Sequence, residues 1–384
     1  MPEEIWRHSA LLPISSEAVG DYFFPRCNKM ILYDPSISAS LSEFGILIHI
    51  RKSRTVNTFA ALLADPELEI RQKEWHCRQI SEELSREDLL LVHSPEYVER
   101  LYGAGLEQEI IATYELIDAK GNYYRYAPET ATRPLADLFQ RILRKSAGSV
   151  QAARLALKHG FCFSFTGGAH HAQYDFGNGF CLVNDVVLAA RKLQSEQHVD
   201  RVWIIDVDAH KGDGTAALTA EDDSIQTLSI HMARGWPLDC PKILADGRAN
   251  PSYIPSNVDI PIESGEERDY LDRLRAGLQH LAGDRAADLA IVVCGADPYE
   301  NDELPSAALL KLSLSEMFAR DKMLYKLLVE RNIPSVFLMA GGYGDDVWRV
   351  SAQFLQWTLR RRYGLAESAA GSWHNPPNPQ PGRP

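Results

Sequence analysis

No C-x-x-C pair, no long apolar run and no basic tail occurs in this sequence, and each lack removes a class of protein. The six cysteines, Cys27, Cys77, Cys162, Cys181, Cys240 and Cys294, are scattered, three of them (Cys162, Cys181 and Cys294) in apolar stretches. That excludes a zinc ribbon or a disulfide framework and reads as reduced thiols in a cytoplasmic protein. Nothing approaches the ~20 apolar residues of a membrane span. The start, MPEEIWRHSA, lacks the basic residues and apolar run of a secretory signal, so no membrane partner is expected. Lysine and arginine total 40 against 52 aspartates and glutamates, a formal net charge of -12. Phosphate backbones need a positive surface, so no direct nucleic-acid partner is expected either. Acidity suits a cationic partner such as a lysine side chain or a polyamine, although acidic compositions are common.

What the sequence has is alternation. Five short apolar runs read as buried strands: FCFSF (161–165), VWIIDVD (202–208), QTLSIH (226–231), LAIVVCG (289–295) and PSVFLMAGG (334–342). Amphipathic helical patterns separate most of them, which predicts an α/β fold with a mostly parallel central sheet covered by helices on both faces. No repeat and no composition break divides the chain, so 1–364 reads as a single domain. The Pro-rich end, 365–384, reads as a disordered tail. Ligands of parallel sheets bind beyond the carboxyl ends of strands. The unusual polar residues collect at those ends: His170 and His171 after the first run, Asp206 to Asp213 at the second, Asp297 after the fourth and Tyr343 after the fifth.

In IIDVDAHKGDG (204–214), Asp206, Asp208 and His210 stand at i, i+2 and i+4, and an extended backbone points such residues to one side. Carboxylate and imidazole together suit a divalent metal, zinc above all for hydrolysis. A lone Asp-x-His is more often a solvated strand end. Placement directly after a buried run argues against that here, because buried charge needs a partner. A catalytic zinc keeps three protein ligands and one open position; Asp208, His210 and, from another strand end, Asp297 supply three. GGAHHAQYDFGNGFCLVND (167–185) carries tandem histidines. As neighbours on an extended segment they are expected to diverge, so that both cannot be fully buried. Histidine suits proton transfer near neutral pH, and Asp206 and Asp213 are the carboxylates available to fix their tautomers. Tyr343, after two glycines, could donate to a developing oxyanion, although a lone tyrosine there would read as an ordinary loop residue.

Taken in order and spacing, GGAHH, GFCLVND, IIDVDAHKGDG, TLSIH, CGADPYENDELP and AGGY resemble the histone deacetylase and acetylpolyamine amidohydrolase family, and HSPEYVERLY (93–102) resembles a weaker upstream segment of it. The resemblance implies a three-layer, arginase-like fold. It implies zinc-dependent hydrolysis of an acylated amine such as acetyl-lysine, with Asp208, His210 and Asp297 as zinc ligands. His170 paired with Asp206 would act electrostatically. His171 paired with Asp213 would be base and then acid, and Tyr343 would polarise the carbonyl. Gly179 and Phe180 would wall an acyl-lysine tunnel, with Gly342 beside it. A structural potassium would use Asp206, Asp208, His210, Ser229 and Ile230.

The sequence also departs from the family pattern. Lys211 stands where many members have a second histidine, and HIRKSRT (49–55) replaces an upstream motif. HMARGWPLD (231–239) differs from the usual aromatic wall, with Trp236 as its candidate replacement. The compact form of this region is closer to small-class and bacterial members, which leaves acyl length open. Segment 115–136 is a candidate pocket rim or homo-oligomer contact. An acetylpolyamine or other small-molecule amidohydrolase, or a longer-chain lysine deacylase, would share every catalytic residue. A two-metal ureohydrolase on the same fold would need a different spacing around His210 and Asp297. A non-catalytic acyl-lysine binding module would be expected to have lost a ligand or the tyrosine, and none is lost.

Overall fold

The structure is a computed structural model that describes residues 29–37, 40–48, 50, 53–283 and 286–366. Except for Leu365 and Ala366, the Pro-rich tail read over 365–384 lies outside the described residues, as does Cys27. Eight strands form one sheet: β1 (Ile31–Leu32), β2 (His76–Cys77), β3 (Phe161–Ser164), β4 (Val202–Asp206), β5 (Ile225–Met232), β6 (Val258–Ile262), β7 (Leu289–Val293) and β8 (Ser335–Leu338). Their spatial order is β2-β1-β3-β8-β7-β4-β5-β6, and every pairing is parallel.

Side-chain alternation assigns the two faces. Trp203 and Ile205 of β4, Phe161 and Phe163 of β3 and Ala290 and Val292 of β7 belong to one apolar core. Val202, Ile204, Cys162, Leu289, Ile291 and Val293 belong to the other. Near-continuous apolar strands are what a sheet buried on both faces requires. Burial of each large side chain is worth ~1.5–3 kcal/mol. The five strands read from the sequence are all present. Three were missed: β1 and β2 are two residues long, too short to show a period, and β6 carries Pro261, tolerable only because β6 is an edge strand. No helix among the described residues is long and apolar enough to cross a membrane.

The helices start and stop on local signals. Ser313 and Glu316 form a capping box on Leu314–Glu330. Gly160, at φ 79°, ends the long helix Asp137–His159 and turns the chain straight into β3. Arg320, fully buried within Leu314–Glu330, pairs with Asp321 at 2.8 Å and donates to the Val207 carbonyl at 2.9 Å. A helix is thereby fastened to the backbone immediately before Asp208.

A second fastening lies on the other core. Ser94 caps the helix Pro95–Tyr102, and the preceding His93 is buried. Its Nδ1–H donates to the Gln173 carbonyl at 2.8 Å, and its Nε2 accepts from the Asn184 amide at 3.1 Å. One imidazole thus holds both ends of the loop that follows the tandem histidines. Burial lowers its pKa from 6.5 to about 4. Folded His93 therefore stays neutral while the unfolded chain takes up a proton below about 6.5. The stability it contributes is full above that pH and is lost as pH falls towards 4, on the order of 3 kcal/mol in total. Denaturant unfolding measured between pH 4 and 7 should show a steeper acid loss for the wild type than for His93→Gln. Equal pH slopes would remove this role.

Candidate metal centre

Four adjacent strands, β3, β8, β7 and β4, deliver the site from their carboxyl ends. After β4 the strand does not continue, because it ends at Asp206. The Asp208 amide donates to Asp206 Oδ1 at 3.1 Å and the His210 amide to Asp208 Oδ1 at 3.0 Å, so the chain descends in bends instead of the extended row expected from the spacing. The consequence is a division of labour: Asp206 turns to His170, while Asp208 and His210 converge with Asp297 from the end of β7.

Ligand-capable atoms of Asp208, His210 and Asp297 all lie within 4.8 Å of one another, and all three residues are buried. His210 Nδ1 is 3.2 Å from Asp208 Oδ1 and 3.0 Å from Asp297 Oδ2, while its Nε2 faces Ser306 Oγ at 3.2 Å. If Nε2–H donates to Ser306, the Nδ1 lone pair faces two carboxylates. The electrostatics show what this set wants. Burial, then Asp208 beside it, raises Asp297 to about 7. Burial would lower His210, but Asp208 and Asp297 outweigh it and lift the imidazole to about 10. Three Lewis bases share one buried spot that demands positive charge. Separations of 3.0 and 3.2 Å suit ligands each ~2.0 Å from a common ion, so the residues present fit a divalent cation. The remaining carboxylate oxygens are occupied, Asp208 Oδ2 by the Gly341 amide at 3.1 Å and Asp297 Oδ1 by the Ala209 amide at 3.0 Å.

Both tandem histidines are buried, at 3% and 5% exposure, with ring centroids 3.8 Å apart. This corrects the expectation that they diverge. Gly167 and Gly168, at φ 97° and 82°, turn the chain out of the strand so that the histidines sit in a turn, where neighbours can face one way. Asp185 braces that turn, accepting from the Gly168 and Ala169 amides and from Ser149. His170 Nδ1 lies 2.6 Å from Asp206 Oδ2, and His171 Nδ1 lies 2.6 Å from Asp213 Oδ1. The two imidazoles part in basicity. Burial lowers His170, but Asp206 overrides it and raises the ring to about 9. Burial and the neighbouring His170 lower His171 to about 4.

Asp213 has further donors that sequence reading did not single out: Gln173 Nε2 at 3.0 Å, Asn178 Nδ2 at 3.3 Å and Ser252 Oγ at 2.5 Å. Lys211 is buried, and its ammonium donates to the Ile254 carbonyl at 2.7 Å and lies 3.4 Å from that of Ser252, with Asp259 at 3.6 Å. It anchors the turn that presents Ser252. Nothing in the order of residues links 211 to 252, so only coordinates could reveal this.

Tyr343 lines the same cavity as both histidines, Asp208 and His210. Its amide donates to Asp302 Oδ2 at 2.7 Å. Burial, then Asp297 and Asp208, hold its phenol well above the ordinary value, so it is a donor. Gly342, at φ 134°, offers its carbonyl to Arg54, a residue not singled out from the sequence. Trp236 stands edge-on to His171, with centroids 4.5 Å apart, and 5.7 Å from His210. Gly179, at φ 53°, packs between Trp236 and His171 where a Cβ would collide with both. Phe180 stacks near Tyr114, and Arg125 of the 115–136 segment covers it at 5.3 Å. That segment therefore reaches the rim. Ser229 pairs in register with Asp206, and Ile230 follows it in β5, fully buried. Gly295 and Gly341 were also missed; a Cβ on either would strike Asp208.

Comparison with known proteins gives a consistent result. The family described as Histone deacetylase domain matches residues 49–359. An uncharacterized protein of Picosynechococcus sp. is 29% identical over 213 residues, 55% of this chain and 66% of that protein. Histone deacetylase 2 of Arabidopsis thaliana is 29% identical over 279 residues, 71% of this chain and 65% of its own length. Acetoin utilization protein AcuC of Staphylococcus aureus is 27% identical over 275 residues, 69% of this chain and 65% of its own. The chain thus spans slightly less than two thirds of the length of these relatives.

Metal affinity tests the centre without reference to turnover. Chelator-stripped protein should take up one equivalent of zinc or cobalt in competition with a chromophoric chelator. Asp297→Asn should weaken uptake by more than ~100-fold, and Ser306→Ala by ~10-fold through the released imidazole. Unchanged affinity in Asp297→Asn would remove that residue from the ligand set.

Proposed function

The chain belongs to the histone deacetylase family, and on that footing we propose that it is a zinc-dependent amidohydrolase removing an acyl group from an acylated amine, with acyl-lysine as the leading substrate class. The observation that carries this reading is one cavity lined by Asp208, His210, two carboxylate-paired histidines and a tyrosine, with Asp297 buried against Asp208 and His210 to complete an Asp-His-Asp trio.

Asp208, His210 and Asp297 would hold the ion. When bound, zinc supplies Lewis acidity, polarising an amide carbonyl and making water a usable nucleophile near neutral pH. His171 works through its tautomer: Nδ1–H is committed to Asp213, so Nε2 presents a lone pair. It accepts the proton of the attacking water and returns it to the nitrogen as the C–N bond breaks. His170, held by Asp206, contributes positive charge beside the developing anion. Tyr343 donates its phenolic proton to the carbonyl oxygen as charge accumulates there, which needs a donor fixed in advance. Gly179 and Phe180 line the cavity and would wall the approach, with Gly179 letting the backbone lie against His171. Trp236, packed on Gly179 and His171, and Gly342, next to Tyr343, would extend that wall. A monovalent cation, potassium by family resemblance, would draw on Asp206, Asp208, His210, Ser229 and Ile230 around the β4–β5 pairing.

Hydrolysis of a fluorogenic acetyl-lysine peptide should be abolished by a chelator and restored by zinc. His171→Ala should lower kcat/KM by ~10²–10⁴-fold and Tyr343→Phe by ~10²–10³-fold, with circular dichroism unchanged. Near wild-type turnover in either variant would overturn the role assigned to that residue.

A further inference from the structure

The cavity does not stop at the trio. It has a volume of about 220 Å³ and runs on to the helix Asp137–His159, where Arg141 and Lys145 join its lining, with Arg54 facing them. One water needs only ~10–15 Å³, so there is space beyond the reacting atoms for a chain of several heavy atoms. Leu138 and Ile142, from the same helix face, give part of that space apolar sides.

The three cations at this end differ in how their charge is met. Arg54 donates to the Ala340 and Gly342 carbonyls at 2.5 and 3.1 Å and feels Asp302, Asp297 and Asp208. Arg141 pairs with Glu43 at 2.9 Å. For Lys145, no hydrogen-bond or carboxylate partner of the ammonium is found among the described residues. Asp185, another carboxylate on the cavity, is already engaged by Ser149, Gly168 and Ala169. Burial, then Arg54 and Arg141, push Lys145 down to about 8, and no carboxylate offsets them. Arg54 Nε and Arg141 Nη1 are buried without hydrogen bonds. Three cationic side chains thus line one end of the cavity, and an anion entering it would meet positive charge that the surrounding carboxylates leave partly unanswered.

We propose that this inner cavity receives the acyl chain and that Lys145, flanked by Arg54 and Arg141, binds a carboxylate at its far end, making amides of dicarboxylic acids the preferred substrates. The proposal rests on the amidohydrolase reading above. In the reaction, water oxygen bonds to the amide carbon, the C–N bond breaks, and the amine leaves with a proton; the other product is the free dicarboxylic acid. Methylenes lie along the apolar sides, and the terminal carboxylate makes a charge-assisted contact with the ammonium.

The test compares lysine peptides bearing glutaryl and pentanoyl groups, equal in chain length and different in terminal charge, on the zinc-loaded protein. The wild type should favour glutaryl in kcat/KM by ~10–100-fold. Lys145→Met should bring that ratio to unity or below, and Lys145→Arg should retain the preference, with melting temperature confirming folding. Calorimetry with free glutarate and acetate supplies a second readout, in which glutarate should bind more tightly and through Lys145. Wild-type preference for pentanoyl, or a ratio unmoved by Lys145→Met, overturns the proposal. So does equal binding of acetate and glutarate through Lys145 without an acyl preference, which would make the cavity a station for released acid. If no acylated peptide is cleaved while glutarate still binds through Lys145, the hydrolase reading fails and the carboxylate site stands. If neither occurs, both fall.

Discussion

Two buried carboxylates pointed at one imidazole nitrogen set the terms for everything around them. Asp208 and Asp297 repel each other across a few ångströms of low-dielectric interior, and the pair is met only by positive charge placed between them, as the raised basicity of His210 shows. The fold therefore surrounds them with donors: the amides of Ala209 and Gly341 take one oxygen each. Space is as tightly set as charge. Gly295 and Gly341 sit where any side chain would occupy the carboxylates' own volume. Arg320, locked to Asp321 and to the Val207 carbonyl, ties a helix to the backbone just before Asp208. The charge conflict at the strand ends and the packed layers beneath them belong together, since a looser scaffold would let Asp208, His210 and Asp297 drift apart.

The tandem histidines follow a related logic with a different outcome. Both histidines are paired to carboxylates at the same 2.6 Å, yet one ring is made more basic and its neighbour less so. Adjacent imidazoles with centroids 3.8 Å apart cannot both hold a proton comfortably. His170 lies near two carboxylates, Asp206 and Asp208, and keeps the charge. His171, with only Asp213 and with aromatic Trp236 against it, gives the charge up. Driving two like groups apart in basicity is how one site offers distinct roles to identical side chains.

Much of this was legible in the sequence, for physical reasons. Buried parallel strands advertise themselves as apolar runs, and a charged residue directly after such a run has few explanations besides a site. Asp208, His210, Asp297 and His171 stand out on that ground, whereas Tyr343 stands out only beside them and through the family resemblance. The two-residue strands β1 and β2 were not, because their pairing comes from neighbours and carries no local pattern. Proline hid β6 by arguing correctly against a central strand. The tandem histidines misled through backbone geometry: the glycines before them produce a turn, and the alternation rule applies only to extended chain. Supporting residues such as Ser252, Ser306 and Arg54 were silent, since a serine or arginine far along the chain has no local feature that distinguishes it.

Lys211 has an effect beyond its own contacts. Its ammonium secures the 252–254 turn, the turn places a hydroxyl on Asp213, and Asp213 orients His171, against which Trp236 rests. The Trp236 side chain and the His171 imidazole are consequently linked, through Asp213 and the 252–254 turn, to a single buried cation. A change at Trp236 would therefore bear on how the imidazole is packed as well as on the wall itself.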